Sequence, residues 1–171
     1  MGETATCTLW IKGLLDEKYI DEIADCLKEE AAEVATQQKY PNLKAALQSG
    51  EYLFVFYDVN HAQMCTELAN ALSRAKLSYN WTWDTSSGFP ARKEIYDAFK
   101  DEQQAFDIIG EDVVVPLTQA RDPSHLSAME EWDSFSKDAG FATYKSNHEL
   151  LKIQSENKIN ARYFALHQSP G

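Results

Sequence analysis

Glycine and cysteine are scarce in this chain, and cations are outnumbered. Its 7 glycines, among 171 residues, form no G-x-x-x-x-G-K-[ST] loop, no G-x-G-x-x-G turn and no G-x-S-x-G elbow. Backbone-cradled phosphates and the serine-hydrolase elbow are therefore not expected. The 3 cysteines, Cys7, Cys26 and Cys65, are odd in number and widely spaced. Without a C-x-x-C pair, neither a disulfide framework nor a structural zinc site is expected. His125, His148 and His167 are scattered, with no H-E-x-x-H spacing. No cofactor and no metal is called for.

No apolar run is long enough to span a bilayer. The start, MGETATCTLW, lacks the basic and apolar regions of a signal peptide. The expected location is the cytoplasm. MGETAT loosely fits an N-myristoylation pattern, but that pattern is short. Asn80-Trp81-Thr82 is a formal glycosylation sequon, silent without secretion.

Lysine and arginine total 16 against 27 acids, for a formal charge of -11. Such a surface repels nucleic acid and anionic membranes, so direct contact with either is not expected. It favours encounter with a basic protein.

With 44% hydrophobic and 12% aromatic residues, the chain can bury a core and fits a single globular domain spanning 1–171. Helical and strand patterns interleave. Thr6 to Leu15 reads as a strand and Glu17 to Gln38 as a helix, with Ile20, Ile23, Leu27, Ala31 and Val34 inward. A short helix, Asn42 to Gln48, lies between Pro41 and Gly50. Glu51 to Asp58 is a strand, His61 to Lys76 a helix capped by Asn60, and Leu77 to Asp84 a strand. If those two strands pair in parallel, the crossover is right-handed. A loop, Thr85 to Pro90, precedes a helix from Ala91 to Phe106 carrying Ile95, Phe99 and Phe106. Asp112 to Leu117 reads as a strand, Asp122-Pro123 as the start of a helix that ends before Gly140, and Phe141 to Tyr144 as a brief strand. A helix from Asn147 to Asn157 and a strand from Ala161 to His167 complete the chain. The expected fold is α/β or α+β, a mixed sheet of about five strands flanked by helices.

The Asp16–Glu33 stretch contains eight acids and two lysines. At steps of four, Asp21, Asp25, Glu29 and Glu33 line one side of the expected helix. Each such like-charge step costs only about 0.2–0.5 kcal/mol, and acids in the first turn are favoured by the helix dipole. A solvated outer face explains the ridge as simply as a docking surface for a basic partner does. Docking gains support from Glu94, Asp97, Asp101, Glu102 and Asp107 on a second expected helix, and from Glu130, Glu131 and Asp133. The segment from Ala139 onward is more basic, with Lys145, Lys152, Lys158 and Arg162.

Trp81 and Trp83 share a strand face and lead into the loop, where Asp84, Phe89 and Arg92 are candidate contacts; both Trp side chains read equally as core. The resulting expectation is a non-catalytic acidic protein that docks and neutralises a basic partner: a toxin, a nuclease or a nucleic-acid-binding protein. In surface character it is similar to immunity proteins and to anti-restriction proteins that imitate DNA charge. The alternative is a small enzyme or a metal- or metabolite-binding domain around Asp58, His61 and Cys65, at a strand's end and one helical turn apart. Its bland counterpart is a buried Cys65 and a His61 in the first turn of a helix.

Overall fold

A computed structural model describes residues 4–83, 91–109, 112–137 and 143–145. Among them the fold is α+β, with one antiparallel sheet of seven strands in the order β3-β4-β1-β5-β6-β7-β8. The elements are β1 (Thr4–Lys12), β2 (Leu14–Asp16), a 3-10 turn (Glu17–Tyr19), α1 (Ile20–Glu29), β3 (Glu33–Val34), α2 (Leu43–Gln48), β4 (Leu53–Asn60), α3 (Thr66–Arg74), β5 (Ser78–Trp83), β6 (Arg92–Asp97), β7 (Glu102–Ile109), β8 (Asp112–Val114), α4 (Leu117–Ala120), α5 (Pro123–Lys137) and β9 (Thr143–Lys145). β9 pairs in parallel with β2, outside the main sheet. No helix of the described residues is long and apolar enough to cross a membrane.

β4 and β5 are not neighbours. Each pairs antiparallel with β1, which lies between them. The strand-helix-strand unit therefore straddles β1, and the expected mixed sheet of about five strands is instead wholly antiparallel with seven. The first apolar run breaks at Gly13, whose φ of +121 suits glycine and whose added Cβ would lie 3.2 Å from Leu77 Cδ2. That break separates β1 from β2.

α1 and α3 pack on one face of the sheet. Ile20, Ile23, Leu27, Leu68, Ala71 and Leu72 join Leu9, Ile11, Phe54, Phe56 and Trp81 in the main core. Trp81 Nε1 donates to Ala62 O at 2.8 Å, so this indole is core, and Trp83 is buried beside it. α5 packs on the other face, where the polar Lys12 and Asn80 are buried along with Ile95 and Phe135. Lys12 Nζ donates to Phe135 O and Ser136 O at 2.9 and 2.6 Å, and Asn80 Nδ2 to Ser136 O at 2.8 Å. These donors satisfy carbonyls that the end of a helix leaves unpaired.

Two expected helices are corrected. α1 ends at Glu29 rather than continuing to Gln38. Ala31 takes a left-handed φ of 54, Ala31 N–H donates to Lys28 O, and Ala32 N–H donates to Leu27 O, a Schellman closure without glycine. The second correction concerns residues 91–106. They form the hairpin β6–β7, paired from Arg92↔Asp107 to Asp97↔Glu102. Its turn is held by Asp97, whose Oδ1 accepts from Phe99 N–H and Lys100 N–H at 3.0 and 3.4 Å. The loop at Thr85 to Pro90, and the elements expected over Asn147 to Asn157 and Ala161 to His167, lie outside the described residues.

Candidate functional site

α1 turns Ile20, Ile23, Ala24 and Leu27 into the core, which leaves Asp21, Asp25 and Glu29 on its outer side. Two neighbouring helices neutralise part of this acidity. Lys44 of α2 lies 2.7 Å from Asp21. Arg74 of α3 pairs with Glu22. Asp25 and Glu29 are exposed and make no ion pair among the described residues. Between them Cys26 is half-buried. Its thiol is pushed above the ordinary value by burial first and then by Glu22 and Glu29.

Glu33 leaves this ridge because the helix has already ended. It is exposed on edge strand β3, opposite Val55 of β4. Val55 belongs to the pleat positions of Thr8, Thr82 and Lys93, which register places in one row, whereas α1 packs on the face of Phe54 and Phe56. Glu33 thus points toward the other side of the sheet. The four-step carboxylate line is really three residues on a helix and one on a sheet edge.

The second group of candidates separates further. Asp97 is 1% exposed and its carboxylate is taken up by the β6–β7 turn, so it offers nothing to a partner. Asp101, in a left-handed turn conformation, is exposed and accepts from Tyr96 OH at 2.8 Å. Arg92 stands at the start of β6 with its Nε 3.2 Å from Asp107 Oδ1. Asp84 and Phe89 lie outside the described residues, as do Lys152, Lys158 and Arg162.

The residues of the alternative reading are not held one helical turn apart. Asp58 sits in a bulge of β4, where the register with β1 slips between Ala5 and Cys7, and its φ is 54. His61 and Ala62 are also left-handed, with φ 53 and 54, and α3 begins only at Thr66. Cys65 precedes that helix, and its Sγ donates to Glu67 Oε2 at 2.9 Å. Burial first, then this hydrogen bond, pushes the thiol up to about 11, opposite to what a nucleophile needs. Among the described residues no three His, Cys, Asp or Glu side chains are grouped to hold a metal ion.

Sequence reasoning missed the exposure of β7, where Glu102, Gln103, Gln104 and Ala105 are all exposed. It also missed two exposed large apolar side chains, Ile109 at the end of β7 and Leu117 at the start of α4, at 74% and 71% exposure. Absence of alternation in EQQAFD was the available signal. No family model matches the chain, and neither a curated protein nor a solved structure matches it.

Proposed function

We propose that this is a non-catalytic acidic binding protein of the cytoplasm that docks a basic protein partner, such as a toxin, a nuclease or a nucleic-acid-binding protein, and neutralises it by docking. The observation that carries the reading is the outer side of α1. Asp25 and Glu29 stand exposed there, a helical turn apart, with no cation paired to them among the described residues. Neighbouring helices neutralise Asp21 and Glu22, which narrows the acidic contact to the C-terminal half of α1. The charge of -11 adds long-range attraction for a basic partner and speeds encounter at low salt.

Affinity capture with purified partner candidates of basic character, at low and high salt, tests this. The wild-type protein is expected to hold its partner at low salt and release it as salt screens the contact. Asp25→Lys combined with Glu29→Lys is expected to abolish capture while the chain stays folded by circular dichroism. Capture that survives the double reversal would remove α1 from the reading.

A further inference from the structure

β7 has an open side. β8 pairs with β7 only at Asp107, Ile108 and Ile109. From Glu102 to Phe106, β7 pairs with β6 on one side, and among the described residues nothing pairs with the other. Ile108 N–H donates to Ala91 O at 3.2 Å and so points toward the β6 side. Backbone groups alternate along a strand, so Phe106, Gln104 and Glu102 bond toward β6. Gln103 and Ala105 then turn their N–H and C=O groups to the open side. From Glu102 to Ala105 the side chains on both faces are exposed, so among the described residues no element covers this stretch from above or below the sheet.

We infer that this edge accepts an extended cationic segment of a protein partner as an added strand. The inference rests on the reading above that the partner is basic. Main-chain bonds at Gln103 and Ala105 would supply the pairing, as in other cases of strand addition. Charge selects the occupant. Among the acids of β6 to β8 and their turn, Asp97 is buried and Asp107 and Asp112 pair with Arg92 and Lys137, which leaves Asp101 and Glu102 exposed. Lys93 is buried, and Arg92 and Lys100 are committed to Asp107 and Glu131. Glu102, exposed at the head of the open stretch, makes no ion pair among the described residues. A second copy would bring another Glu102 and another charge of -11 to the same edge, which disfavours self-pairing.

The test uses a short fluorescent peptide of alternating lysine and valine at low salt. Binding is followed by anisotropy, and amide hydrogen exchange by NMR. Exchange at Gln103 and Ala105 is expected to slow only when peptide is added. Ala105→Pro removes an outward N–H and leaves the β6 ladder intact, so it is expected to weaken binding about tenfold or more. Gln103→Pro is the parallel variant if Ala105→Pro unfolds. If the α1 double variant abolishes binding and neither proline does, the edge is overturned while docking through α1 stands. Failure of the peptide to bind at all also overturns the edge and leaves partner capture by α1 as a separate question. Slow exchange at both amides in dilute, peptide-free protein means the chain fills its own edge, and overturns the inference. So does slowing that tracks protein concentration together with a doubled mass, which would identify a second copy.

Discussion

Burial pushes the Glu94 carboxyl above its ordinary value, against the opposing pull of Arg92 and a hydrogen bond from Gln103 Nε2 at 3.0 Å. An acid whose folded value is raised binds its proton more tightly in the native state than in the unfolded chain. It therefore destabilises the fold above the ordinary carboxylate range, and the penalty disappears as pH falls below that range. Glu94→Gln is expected to stabilise the protein at pH 7 and to match the wild type in acid, measured as urea midpoints across the range. Asp97, three residues on, is buried more deeply, yet its carboxylate has two backbone donors in the turn. In sequence the two acids look alike, and both resemble the exposed Asp25 and Glu29. Whether a carboxylate faces water or caps a turn depends on strand register, which one sequence does not carry. The three members of the acidic ridge that lie on α1 were readable because Ile20, Ile23 and Leu27 fixed the buried side of the helix. The fourth, Glu33, was not, because an alanine took the left-handed closing position that glycine usually marks.

Lys12 ties α5 to the sheet. It is 3% exposed, donates to two carbonyls at the end of that helix, and lies 4.4 Å from the Trp10 ring centroid. Lys12→Met keeps the length and loses the charged donor. It is expected to cost about 3 kcal/mol, since hydrogen bonds to a charged group contribute about 1.5–3 kcal/mol each and methionine recovers part of the packing. Hydrogen exchange should quicken along α5 and stay unchanged along α1, because the two helices pack on opposite faces. The extent of α5 was legible from the cap at Asp122-Pro123, and the structure shows Asp122 Oδ1 accepting from Ser124 N–H at 3.0 Å. The β6–β7 hairpin was not legible. A buried Lys93 and Asp97 break the apolar alternation of β6, and β7 is exposed on both faces from Glu102 to Ala105. Ile95, Phe99 and Phe106 then fall at a spacing that imitates a helix.

At the scale of the whole molecule, a charge of -11 on 171 residues makes self-repulsion a property of the fold. Screening shortens its reach to about 10 Å at 0.1 M salt. The thermal midpoint is accordingly expected to rise as sodium chloride increases from about 10 mM to about 300 mM, followed by circular dichroism; a flat or falling midpoint would place the acids in compensated pairs. Alternating helices and strands were readable along the chain, and the α+β class with them. The order of strands was not, because β4 and β5 are near each other in sequence and apart in the sheet. Their separator, β1, is the third of the seven strands, with partners at Leu53 to Asn60 and at Ser78 to Trp83. Translation must pass Lys12 by about 50 residues before β4 is complete at Asn60, and by about 70 before β5 is complete at Trp83. β1 is therefore flanked on both sides only once Trp83 has been made, and β6 to β8 add beyond β5 one after another.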